Sequence, residues 1–96
     1  MKNKLELKLY INGMTAAARA ALENLEEVCQ KCHGHDYIIE VIDIREHPQQ
    51  AEEEKIIATP TLIRKNPPPV SRVIGDLSER SQLMLGLDFE SLREFQ

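Results

Sequence analysis

The stretch Val70–Phe89 reads VSRVIGDLSERSQLMLGLDF and carries two incompatible hydrophobic periods. Leu83, Leu85, Leu87 and Phe89 alternate with Met84, Gly86 and Asp88, which is a strand pattern. Leu77, Met84 and Leu87 can equally lay an apolar stripe along a helix that follows Asp76. The conflict runs the other way just upstream. Val70, Val73, Ile74 and Leu77 stand at i, i+3, i+4 and i+7, a helical stripe. Yet Val70–Ile74 is also a β-branched run after Pro67-Pro68-Pro69, which reads as a strand. Ordinary domains have local signals that agree with one fold, and a chain that leaves both readings open can fold two ways.

Moving outward toward the N-terminus, the signals become single. Leu5, Leu7, Leu9 and Ile11 alternate and predict a strand that Asn12-Gly13 ends. Thr15 suits an N-cap, because its hydroxyl can accept a backbone N–H of the first helical turn. Ala18, Ala21, Leu22, Leu25, Val28, Cys29 and Cys32 then share one helical stripe, with Gly34 as the stop. Tyr37 to Ile44 predicts a second strand, placed centrally because Ile38-Ile39 and Val41-Ile42 are nearly continuous. Pro48 can open a short helix to about Glu54. That helix is poor, since Glu52, Glu53 and Glu54 crowd the end where the helix dipole disfavours negative charge. An X-Pro at Thr59-Pro60, opening a third strand, is a place for either a cis or a trans peptide.

The chain has 96 residues, enough for one domain. Aromatic residues are 4% with no Trp, so the core must come from Ile, Leu, Val and Ala. Residues 1–54 carry 6 Lys/Arg against 11 Asp/Glu, a charge of −5, and residues 55–96 carry 6 against 5, a charge of +1. An acidic balance without a basic stripe speaks against nucleic acid. No apolar run approaches the length of a membrane span, so the expected setting is the cytoplasm, with Cys29 and Cys32 reduced.

Cys29-Gln30-Lys31-Cys32-His33 matches the short haem-attachment pattern, but the helical stripe already accounts for both cysteines. Cys29, Cys32, His33 and His35 are a possible zinc set, yet His33 points away from the cysteine face and one compact cluster is a weak framework. Redox chemistry wants a cysteine at a helix N-terminus, where the dipole stabilises a thiolate. Here that turn reads Asn12-Gly13-Met14-Thr15-Ala16. Glu52–Glu54 read as a solvated face and His47 as a turn residue. Catalysis, a metal and a cofactor are therefore not expected.

Several stretches in combination carry a resemblance. Val41-Ile42-Asp43, Ala51-Glu52-Glu53 with Lys55-Ile56, Ala58-Thr59-Pro60-Thr61-Leu62, Pro67-Pro68-Pro69-Val70 and Ile74-Gly75-Asp76-Leu77-Ser78 resemble the KaiB family of the cyanobacterial circadian clock. The likeness runs from Leu7-Lys8-Leu9-Tyr10 to Leu85-Gly86-Leu87-Asp88. It implies a single α/β domain over 1–96 with a frayed tail from about 90, of the thioredoxin-like superfamily and the KaiB fold. It also implies two element orders: a ground state βαββααβ, expected in isolation as a homodimer or homotetramer, and a rarer monomeric thioredoxin-like βαβαββα. The rarer state is the one that would bind a KaiC-type ATPase, displace a histidine kinase with a similar domain and help sequester KaiA.

Carried over residue by residue, the resemblance places Leu5, Arg19, Ile38 and Glu40 on the KaiC-facing surface. It makes Pro60, Gly86 and Asp88 the points that control the fold switch. Two positions depart from the pattern of clock-type members, which have alanine where Ile38 stands and lysine where Glu40 stands. The implied function is a non-enzymatic regulator that binds a KaiC-type ATPase in circadian timing or a related adaptive response. The alternative is a diverged homologue that acts in stress adaptation through another partner.

Overall fold

The computed structural model describes residues 4–33, 36–66 and 70–74, the side chains of Cys32 and His33 excepted. In chain order these form β1 (Leu5–Ile11), α1 (Ala16–His33), β2 (Tyr37–Asp43), α2 (Pro48–Glu53), β3 (Thr61–Asn66) and β4 (Ser71–Ile74). The strands make one sheet in the order β2-β1-β3-β4. β2 runs parallel to β1, β3 antiparallel to β1, and β4 antiparallel to β3.

Alternation builds the two faces of this sheet. Leu5, Leu7, Leu9 and Ile11 point to one side and pack with Ala18, Ala21, Leu25, Val28 and Cys29 of α1, joined by Leu62 of β3. The intervening Tyr10 points to the other side, where it forms a second cluster with Ile42 and Ile63, flanked by Ile44 and Ile56. α1 begins where its cap predicts: the Ala18 N–H donates to Thr15 Oγ1 at 3.1 Å. That bond satisfies a donor that the first turn of any helix leaves open.

α2 packs on the second face. Pro48 stands in its first turn and Ala51 is its buried residue. Its C-terminal end closes in a Schellman pattern: the Ile56 N–H donates to Ala51 O at 3.0 Å and the Lys55 N–H to Glu52 O at 3.1 Å. Lys55 takes the left-handed conformation that this cap needs, with φ 56°. Thr59-Pro60 is a cis peptide at the entry to β3.

Two expectations are corrected. β2 is not central but lies at an edge of the described sheet. Its apolar run hides an ordinary alternation, in which Tyr37 and Ile39 turn toward α1 while Ile38 is 48% exposed. The ground-state order βαββααβ is also not the one adopted. A helix, α2, separates β2 from β3, so the order follows the thioredoxin-like alternative as far as β4. The physical reason is the second core cluster: Ile56, just after α2, packs against Tyr10, Ile42 and Ile63, and Gln50 of α2 bonds the Tyr10 hydroxyl, which needs the chain to turn back across the sheet after β2. Of the doubly readable stretch, 71–74 is resolved as strand. Residues 75–89, with Gly86 and Asp88, and the tail lie outside the described residues.

Candidate functional site

The outer part of β2 offers the exposed surface that the resemblance singled out. In the parallel ladder Ile38 stands beside Glu6, Glu40 beside Lys8 and Ile42 beside Tyr10. All six share the sheet face opposite α1. Ile42 and Tyr10 are covered, whereas Ile38 and Glu40 are exposed. Arg19 is exposed on α1 and so belongs to the other layer of the molecule. Leu5 is 0% exposed in the α1-facing core, so its side chain supports β1 from beneath and cannot line an outer surface. The structure thus brings Ile38 and Glu40 together, sets Arg19 apart and removes Leu5 from the surface set.

Pro60 lies elsewhere. A recess of about 280 Å³ opens between the start of α1 and the turn into β3, lined by Ile11, Asn12, Thr15, Ala18, Thr59 and Pro60 among others. The lining holds hydroxyls and a carboxamide but no thiol, imidazole, amine or carboxylate. Thr15 Oγ1 is already engaged by the helix. A nucleophile and a base are therefore not brought together there. Cys29 is a buried thiol on the core side of α1, well inside the helix. Among the described residues no three His, Cys, Asp or Glu side chains gather as a metal site would need.

Two charged clusters were not foreseen from the sequence. In the first, the Asp43 carboxylate accepts from the Arg45 N–H at 2.9 Å, from Arg45 Nε at 3.1 Å and from Arg45 Nη2 at 2.8 Å. These bonds, with a further one from the Gly13 backbone, hold its pKa down at about 2. The guanidinium lies over Gly13, which has φ 78°; a Cβ there would come within 3.3 Å of it. The loops after β1 and β2 are tied together in this way. The only sequence signal was Asp43-x-Arg45, a short spacing that many turns share.

In the second cluster Lys65 Nζ donates to Glu54 Oε2 at 2.7 Å, and Arg72 Nη2 donates to the Glu54 backbone carbonyl at 2.8 Å. Lys65 chiefly, with Lys8 and Arg72, lowers the Glu54 pKa against the opposing effect of burial. Glu52 and Glu53 are solvated as expected, but Glu54 is half-buried and paired. Nearby, Gln50 Nε2 donates to Tyr10 Oη at 3.4 Å. Burial first, and then the Glu54 charge, raise the pKa of that phenol and keep it protonated.

The strand–helix–strand–helix–strand–strand order sets β1 between β2 and β3, and the N-terminal turn of the first helix carries no thiol. The family model described as the KaiB domain matches residues 8–89. The chain belongs to the KaiB family. It is 48% identical over 86 residues to circadian clock protein KaiB3 of Synechocystis sp., covering 90% of this chain and 84% of that protein. It is 50% identical over 90 residues to circadian clock oscillator protein KaiB of Prochlorococcus marinus, covering 92% of this chain and 77% of the relative.

Solved structures add the fold. The N-terminal domain of Synechococcus elongatus SasA superposes with a TM-score of 0.75 at 20% identity, covering 92% of this chain and 87% of that domain. Chloroplastic thioredoxin z superposes with a TM-score of 0.72 at 19% identity, covering 93% and 80%. The KaiB chain described here is therefore in a thioredoxin-like arrangement, which agrees with the described strand order.

Proposed function

We propose that this KaiB-family protein is a non-enzymatic regulator of circadian timing or a related adaptive response. It acts by docking in its thioredoxin-like order on a KaiC-type ATPase. The observation that carries this reading is the pairing of family and fold: a chain belonging to the KaiB family follows, as far as β4, the element order that the resemblance assigns to the partner-binding state. The docking surface would comprise the exposed edge of β2 at Ile38 and Glu40, with Arg19 from the helix layer. The same complex would displace a histidine kinase with a similar domain and help sequester KaiA. Pro60, Gly86 and Asp88 would set the balance of the two orders, and the βαββααβ order would associate as a homodimer or homotetramer.

Incubating the protein with its cognate ATPase and nucleotide, and following complex formation by size-exclusion chromatography over hours, tests the reading. A complex that forms with ATP or ADP supports it. Absence of a complex under every nucleotide condition sinks it.

A second reading rests on Ile38 and Glu40. An exposed isoleucine and a carboxylate on β2, in place of alanine and lysine, suit a partner other than a clock-type KaiC. On that reading the chain serves stress adaptation without KaiC, and Glu40→Lys restores binding to a clock-type KaiC. Among the described residues no helix is long and apolar enough to cross a membrane.

A further inference from the structure

α2 has little of its own to hold it in place. It spans six residues, its N-cap His47 makes no side-chain hydrogen bond, and Ala51 is its buried residue. Isolated helices this short do not persist in water. Its C-terminal end also gathers Glu52, Glu53 and Glu54 where the exposed carbonyls are already negative. Something outside the helix must therefore offset that end.

Two basic side chains do so, each from a different strand. Lys65 of β3 reaches the Glu54 carboxylate at 2.7 Å. Arg72 of β4 lies 3.9 Å from the same carboxylate, and it donates to the backbone carbonyls of Glu54 at 2.8 Å and Lys55 at 3.3 Å. Arg72 thus fills the role that a basic residue in the last turn would play, and that turn has none. Glu54, Lys65 and Arg72 all lie after β2, in the half of the chain that the doubled period occupies. From β1, Lys8 favours the ionised Glu54 through its field and without a direct bond.

We infer that Glu54, Lys65 and Arg72 form an electrostatic latch that fastens the C-terminal end of α2 to the β3–β4 hairpin, and that opening it frees that end while the sheet and α1 stay folded. β3 is held to β1 by its own ladder and by Leu62 in the α1-facing core, so the sheet does not depend on the latch. Among the described residues Lys65, Lys8 and Arg72 favour the ionised Glu54 carboxylate, and the neighbouring Glu52 and Glu53 are solvated, so the carboxylate pairs best when ionised. The latch therefore holds above the unfolded carboxylate's ordinary value of 4.5 and loosens as pH falls through the lowered one. High salt loosens it as well, because these groups are only partly shielded from water.

Amide hydrogen exchange on the full chain reads the latch directly. The reporters are Ile56 N–H, bonded to Ala51 O, and Lys55 N–H, bonded to Glu52 O; the control is Ile44 N–H, bonded to Ile11 O. Glu54→Gln should speed exchange at the reporters roughly tenfold and leave the control unchanged. Lys65→Gln should do the same, with no additional effect in the double variant. Molar sodium chloride should speed the reporters in the unmodified protein but not in Glu54→Gln. Equal acceleration at Ile44, or no acceleration at the reporters in either the variants or high salt, overturns the latch. Complex formation with the ATPase, measured on the same samples, judges the functional reading separately.

Discussion

At the scale of single residues, Gly13 is the position where the backbone leaves least choice. Its φ of 78° lies in the left-handed region, and the Arg45 guanidinium covers the space where a Cβ would project. A side chain there costs about 1–2 kcal/mol in backbone conformation alone. Gly13→Ala should lower the urea-unfolding free energy by that amount. Because the far end of an arginine can move aside, the loss should persist in an Arg45→Ala background. Disappearance of the loss there would place the cost in the contact with Arg45 and not in the backbone. The neighbouring Asp43 gives a pH signature. Its carboxylate is held at about 2, below the unfolded value of 3.8. Its stabilising contribution is therefore complete above 3.8 and is lost as pH falls through about 2. The stability difference between the unmodified chain and Asp43→Asn should be level at neutral pH and shrink across that acid window; a difference that stays constant down to pH 2 would contradict the assignment.

At the scale of elements, Lys55 ends α2 in a conformation that glycine holds more easily. Lys55→Gly trades the left-handed cost of a side chain for the larger unfolded-state entropy of glycine. The balance should stabilise the chain by about 0.5–1 kcal/mol. Arg72 contacts only the backbone carbonyl of Lys55, so that bond survives the change. An upward shift in the urea midpoint checks this. A downward shift would mean that the lysine side chain contributes more than its backbone costs. The elements also show what the sequence could disclose. β1 and α1 were legible because each carries one period and its own end signals, Asn12-Gly13 and Thr15. β2 was legible as a strand but misplaced in the sheet; Glu40 in the middle of its apolar run was the overlooked sign of an open face. The docking of α2 was not legible. Its partners stand 11 and 18 residues further along the chain, and no local pattern announces a contact made only after β3 and β4 pair.

At the scale of the whole molecule, the candidate surface and the stability of the sheet meet at Glu40. Its cross-strand neighbour on β1 is Lys8, so a lysine at position 40 would set two like charges side by side. Such a pair costs about 0.2–1 kcal/mol on an exposed sheet face. Correcting a reversed charge at a protein contact can change binding by several kcal/mol, so the effect on a partner outweighs the effect on the fold. Glu40→Lys should therefore lower the urea midpoint slightly and strengthen binding to a clock-type KaiC by at least roughly tenfold, the equivalent of about 1.4 kcal/mol. Adding Lys8→Glu should recover part of the stability, because the pair is again of opposite sign while Glu54 loses the favourable field of Lys8. It should keep the gain in binding only if Lys8 itself stays out of the contact, which makes the double variant a probe of how far the surface extends from β2 toward β1. Titration calorimetry against the ATPase, beside urea unfolding of the three variants, separates these effects. If Glu40→Lys unfolds more easily yet binds no better, the carboxylate at position 40 belongs to the sheet's own charge pairing, and partner choice must be sought at Ile38 or on the helix layer around Arg19.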